Sequence, residues 1–205
     1  MSIGRVSDAL IVIGEDADID PLATIGERPA RDIADLSLRL GEGACIRSGT
    51  VVYAGSTIGD RFSTGHHTII REENHIGDEV SVWGSSTIDY GCVIGSRVKV
   101  HTCVYVAQFT VIEDDAFLAP GVIIANDPRP GSPSGRDRMR GPTLRRGAQI
   151  GVNVTIVPFV EIGEDAFIGA GSVVTKDIPS RALAYGNPAR VVGTIDDLDG
   201  QPAGR

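Results

Sequence analysis

The sequence predicts an all-β fold, a three-sided parallel β-helix, and three observations predict it. The first is a period. From Leu40 to Ile124 every sixth residue is aliphatic at fourteen of fifteen positions, with Thr64 the exception. The second is an offset. Four residues after most of these anchors stands a small or β-branched residue, among them Ala44, Ser56, Val80, Cys92 and Val98, while Phe62 and Asn74 depart. The third is composition: 26 glycines in 205 residues and only 5% aromatics. Six is neither the period of an α-helix nor that of a strand. One large and one small inward residue per six means a short strand and then a bend. Three such hexads close one coil of 18 residues. Successive coils then stack about 4.8 Å apart, the spacing of hydrogen-bonded strands. Each coil covers the apolar face of the last, as a repeat architecture requires.

Residues 1–39 read as an N-terminal segment and a first partial coil, marked by Ile13, Ile19 and Ile25 and offset from the rest by an insertion near "ERPARD". Residues 40–193 form the main coil. Its phase is lost over an inserted loop, 125–149, and returns at Ile150, Ile156, Ile162, Ile168 and Val174. Glycine often follows the anchor, as at Gly41, Gly59, Gly77 and Gly95, where a residue without Cβ is expected to take the bend cheaply. Residues 194–205 are a short polar tail. The apolar spacing of an amphipathic helix fits 40–124 far worse.

The net charge of −8 argues against a nucleic-acid backbone or an anionic membrane as the main partner. No stretch approaches the roughly 20 apolar residues of a membrane-spanning helix. The first twenty residues have no basic start and no clear cleavage site, and read as folded chain. Three cysteines, Cys45, Cys92 and Cys103, without CxxC spacing predict reduced thiols and a cytoplasmic protein. Cys92, at an inward small position, is expected in the core.

Three segments carry a resemblance: "TGHHTIIREENHIGD", "APGVIIANDPRP" and "IGAGSVVTKDIPSRALAYGNPARVVG". With the repeats they resemble the hexapeptide-repeat acyltransferases with a left-handed β-helix, in the branch that acetylates amino or hydroxyl groups of sugars. The resemblance covers about residues 40–193. It implies a left-handed coil and a homotrimer with active sites between neighbouring prisms. It also implies acetyl-CoA as co-substrate, no metal, and an amino sugar, often nucleotide-activated, as acceptor. The acceptor attacks the thioester directly, without a covalent enzyme intermediate.

Residues 18 apart lie above one another, which groups the polar side chains. His66 and His101 fall on one edge, two coils apart, with Trp83 between them. A histidine titrates near neutrality and can take a proton from an acceptor. His66 and His101 are the candidate bases, and Trp83 a candidate substrate contact. Glu72, a candidate to grip an acceptor amine or orient His66, or else an ion-pair partner of Arg71, falls with Asn126 and Asp127 on a different edge. The resemblance implies that Asn126 and Asp127 meet the acceptor, and Asn126 or backbone N–H groups are candidates to stabilise the oxyanion. Arg129, Arg136, Arg138, Arg140, Arg145 and Arg146 stand against one acid, Asp137, in the loop region. At least one of them is a candidate phosphate contact, and Arg129 is a candidate substrate-binding residue. Gly169 and Ala170 are expected to let the pantetheine arm approach, Lys176 is a candidate coenzyme contact or a surface lysine, and the resemblance implies Arg190 as a partner of a coenzyme phosphate. His67 and His75 read as surface residues.

Two rival readings remain on the residues. A non-catalytic β-helix scaffold needs no coenzyme site. A γ-type carbonic anhydrase needs three histidines on zinc, and Val106 occupies the place of one of them.

Overall fold

The computed structural model describes residues 10–132 and 138–199. Arg136 and Asp137 lie outside the described residues, as does the chain from 200 onward. The strands are two to six residues long and fall into three sheets, the walls of a prism. The first wall runs from Ile11–Ile13 to Glu161–Ile162. The second runs from Asp18–Ile19 to Ala189–Thr194, and the third from Thr24–Glu27 to Val173–Val174. The chain visits the walls in turn, so each strand pairs in parallel with one a coil later. His75 and Ile76, for instance, lie opposite Val93 and Ile94. This is the left-handed parallel β-helix.

Ile88, Ile94 and Val100 point inward from the third, first and second walls, at 0%, 2% and 0% exposure. The departures from the pattern are also buried. Phe62 fills the core, and Thr64 Oγ1 accepts from the Arg47 N–H at 3.1 Å. Asn74 Nδ2 donates to the Arg71 carbonyl and Oδ1 accepts from the Cys92 N–H, each at 2.8 Å, so this buried amide is partnered at both ends. Cys92 is core, as its position predicts. Its thiol donates to the Asp89 and Ala107 carbonyls, and burial pushes its pKa up to about 12.

The glycines after the anchors do a different task from the one expected. The left-handed backbone comes two residues later, and ordinary residues often supply it: Arg61, His67, Glu73 and Glu79 have φ of 53–58°. The post-anchor glycines make room. A Cβ at Gly41 would lie 2.5 Å from the Gly59 carbonyl carbon, and one at Gly59 would lie 2.7 Å from that of Gly77. They let one coil's bend rest on the next.

The loop also ends sooner than the lost phase suggested. Thr143–Leu144 already pairs with Val111–Ile112 on the first wall. Arg145 and Arg146 are therefore bend residues, ion-paired to Glu113, Glu161 and Glu164. At the other end of the chain, the "GNPAR" segment stays on the prism. Ala182–Gly186 pairs in parallel with Phe167–Ile168, turns at Asn187–Pro188, and returns as Ala189–Thr194. The insertion near Arg31 folds over the edge between the third and first walls. There Ile33 and the Asp35 carbonyl crowd the space beside Gly55.

Candidate functional site

The edge between the second and third walls carries the histidines. The His101 ring packs edge-on against Trp83, with centroids 3.7 Å apart. Its Nδ1 accepts the Thr102 backbone N–H at 2.9 Å. A ring nitrogen that accepts carries no proton, so the neutral ring holds its proton on Nε2. His101, expected as a base, is thus held as a hydrogen-bond donor. His66 is exposed, and its Nδ1 lies 2.7 Å from Ser48 Oγ, a hydroxyl able to accept. With Nδ1–H donated to Ser48, the Nε2 lone pair is open. Of the two histidines, His66 has the bonding that suits a base. Trp83 shares a column with His101, eighteen residues on. His66 stands in the next column, where a Cβ on Gly84 would lie 3.1 Å from its carbonyl oxygen.

The edge between the third and first walls carries a buried polar network. Glu72 has no exposed surface and takes Arg71 on both oxygens at 2.9 and 3.0 Å, and Arg31 at 2.5 Å. Arg31 also bonds Glu73 and lies 4.0 Å over the Tyr90 ring. Burial pushes the Glu72 carboxyl up, but the hydrogen bonds from Arg71 and Arg31 outweigh it and hold it below the usual range. One coil on, Asp89 Oδ2 accepts from the Tyr105 hydroxyl at 2.7 Å and from Gln108 Nε2 at 2.5 Å. Burial and the Asp89 bond raise the Tyr105 pKa. Asn126 Nδ2 then donates to Gln108 Oε1 at 2.6 Å. The donors of Asn126, offered from sequence for an oxyanion, are therefore committed within the edge. Glu72 is likewise enclosed by arginines and not open to an acceptor. Asp127 Oδ1 caps the Arg129 N–H at 2.8 Å where the loop starts, and Arg140 N–H closes the loop onto the Asn126 carbonyl at 2.9 Å. Arg129, Arg138 and Arg140 are exposed.

The proposed coenzyme residues fall on both edges. Gly169 and Ala170 lie on the histidine edge. The Gly169 and Gly171 amides are spent on the Ala184 and Val152 carbonyls, while Ala170 donates to no group among the described residues. A Cβ at Gly171 would meet nothing within 4 Å, so this edge is open to a chain lying along it. Gly169 itself is covered by Tyr185, the cross-strand partner of Arg190. Lys176 is exposed on the Asn126 edge.

A single chain thus gathers the predicted residues into two groups, one along each border of the third wall. From Val51 to Val173 that wall's outward side chains are free of charge, with Val51, Ile69, Thr87, Tyr105, Ile123, Thr155 and Val173 among them, while Glu27 stands exposed at its first strand. The first wall has Arg39, His75 and Glu161 at such positions, and the second has Lys99. A groove of about 620 Å³ lies between Lys99, Phe117 and Gln149 of the second wall and Arg97 and Asp115 of the adjoining bend, and no predicted site residue lines it. Among the described residues no three His, Cys, Asp or Glu side chains gather as metal ligands.

Asp89, Tyr105, Gln108 and Arg31 were given no role from sequence. Stacking by eighteen places Gln108 under Asn126 and could have found it. Arg31 belongs to the insertion, and no period points to it.

The family profile described as bacterial transferase hexapeptide (six repeats) matches residues 141–176. A dTDP-3-amino-3,6-dideoxy-α-D-galactopyranose 3-N-acetyltransferase of Aneurinibacillus thermoaerophilus is 60% identical over 52 residues, 25% of this chain and 27% of the relative. Serine acetyltransferase 4 of Arabidopsis thaliana is 36% identical over 98 residues, 48% of this chain and 26% of the relative. The chain spans about a quarter of the length of each of these two relatives. A UDP-N-acetylglucosamine acyltransferase from Bacteroides fragilis has the same fold, with a TM-score of 0.75 at 21% identity over 97% of this chain and 79% of its own.

Proposed function

We propose that this chain, a left-handed β-helix carrying the bacterial transferase hexapeptide repeat, is an acetyl-CoA-dependent acetyltransferase for an amino or hydroxyl group of a sugar, an amino sugar in first place. The observation that carries the reading is the division of the polar residues between the two borders of one wall whose outward side chains carry no charge from Val51 to Val173. Two copies meeting along that wall would bring the histidine edge of one against the Asn126 edge of the next, as a homotrimer does. The amino sugar is favoured because the relative sharing 60% identity over 52 residues is named for such a substrate. The serine acetyltransferases among the relatives support acetyl transfer but not the sugar. The exposed loop arginines suit a nucleotide-linked acceptor, whose phosphates they would meet. The free thiols fit a cytoplasmic setting.

In this reading His66 takes the proton that the acceptor nitrogen sheds as it bonds to the thioester carbon. His101, through Nε2–H, supplies a donor to the carbonyl oxygen as charge develops there. The carbon–sulfur bond breaks, the sulfur takes up the proton held by His66, and the coenzyme leaves as its thiol. The open run at Ala170 and Gly171 would hold the pantetheine arm.

Acetyl-CoA should raise the melting midpoint by mass action, and thiol release over a panel of amino sugars should identify the acceptor. His66→Asn should lower kcat by about a hundredfold or more. Unchanged turnover in both His66→Asn and His101→Asn would remove the histidine mechanism. A protein that neither binds acetyl-CoA nor releases thiol would be the scaffold instead.

A further inference from the structure

We propose that Asp89 and Gln108 are positioning residues that fix the Asn126 amide as a hydrogen-bond acceptor, so that the site selects an acceptor group that donates. The inference rests on the acetyltransferase reading above and adds a rule for the acceptor. It follows from what each group in the chain of bonds can do.

An ionised carboxylate only accepts. Asp89, 6% exposed, takes the Tyr105 hydroxyl and Gln108 Nε2 on one oxygen, and Arg71 stands 3.6 Å from the other. Gln108 must therefore spend its amide nitrogen on Asp89 and turn Oε1 away from it. That oxygen lies 2.6 Å from Asn126. Two oxygens cannot bond there, so Asn126 must present Nδ2, which also leans on the Gln108 backbone carbonyl at 3.4 Å. The polarity of Asn126 is thus set two residues away, by a charge.

What remains of Asn126 is Oδ1. The residue is 8% exposed, and Oδ1 has no partner among the described residues. A buried acceptor without a donor is costly, and such groups in native structures call for an explanation. An amine or ammonium N–H, or a hydroxyl, satisfies it. A carboxylate or an ether oxygen does not.

Gln108→Lys keeps a donor toward Asp89 but has only donors to offer Asn126, which must then turn Oδ1 inward and Nδ2 toward the acceptor. The KM for the amine acceptor should rise about tenfold, the scale of one lost hydrogen bond, while the KM for acetyl-CoA stays put. The double variant Asp89→Asn/Gln108→Glu moves the carboxylate one step along the chain. The amide at position 89 then donates to the carboxylate at 108, which still accepts from Asn126 Nδ2. The double variant, altered at both positions yet leaving the polarity of Asn126 as it was, should keep most of the wild-type acceptor KM, which a purely structural role for either residue would not allow. A double variant no better than the single, or an unmoved acceptor KM in Gln108→Lys, overturns the inference. Neutron diffraction on the wild type decides it without any turnover: deuterons should sit on the Asn126 atom that faces Gln108, and deuterons on the opposite atom overturn it. A wild type that acetylates nothing would sink the function proposed above and leave the neutron result to judge this one.

Discussion

The prism's edge between the first and second walls and its edge between the third and first walls bend the same backbone but treat charge differently. Along the former, partners recur every eighteen residues. The Asp60 N–H donates to Asp78 Oδ1 at 2.8 Å, Arg61 pairs with Glu79, and Arg97 with Asp115. All of these groups are wet. Along the latter, Glu72 is sealed between Arg71 and Arg31, the second of which comes from outside the repeat. The first arrangement is a ladder that any number of coils could extend. The second interrupts the repeat and accepts the desolvation of a carboxylate, which a stacking edge does not need. A fold that meets its structural needs with exposed ladders marks its special place where it buries charge.

The sharpest way to break that comparison is Glu72→Gln. It leaves two guanidinium groups facing a neutral amide in a closed setting. Removing one member of a buried pair costs about 3–5 kcal/mol, and the partial exposure of both arginines brings the expected loss down to about 2–3 kcal/mol. Chemical denaturation of the wild type and the variant measures it. A loss no greater than that of an exposed pair would erase the distinction between the edges.

The coil was legible because its signal is redundant. Ile88, Ile94 and Val100 repeat one rule, and a misreading of any one would be corrected by the next. Stacking also set His66, Trp83 and His101 on one edge and Glu72 and Asn126 on another. What sequence could not supply was the state of each polar group. The bond from Thr102 to His101 Nδ1 turns an expected base into a donor. The bond from Asn126 to Gln108 turns an expected donor into an acceptor. Both depend on the orientation of a ring or an amide, which leaves no periodic trace. The loop was drawn too long for a related reason. Arg145 and Arg146 look like loop charge, yet they follow the anchor Leu144, which sits in phase with Ile150.

pH sharpens the comparison next. Arg71 and Arg31 hold the Glu72 carboxyl below its ordinary value of 4.5 in the fold. A group depressed on folding contributes stability that is whole above its unfolded pKa and is lost as pH falls through the folded one. The wild-type melting midpoint should therefore drop as the medium is acidified below 4.5, and the drop should be shallower in Glu72→Gln. Parallel curves for the two proteins would place the acid sensitivity elsewhere.

The smallest effect is expected on the ladder. Arg97→Ala removes the bonds to Asp114 and Asp115, and Asp115 sits below its ordinary pKa because Arg97 bonds it. Both partners are solvated, so water and counter-ions replace what is lost, and screening shrinks the rest. The midpoint of Arg97→Ala should lie close to wild type at low salt and become indistinguishable from it at high salt. The deficit of Glu72→Gln should persist at high salt, because ions do not reach a carboxylate enclosed on every side. If salt closed both gaps equally, Glu72 would be as accessible to the solvent as Arg97, and the third edge would be one more ladder.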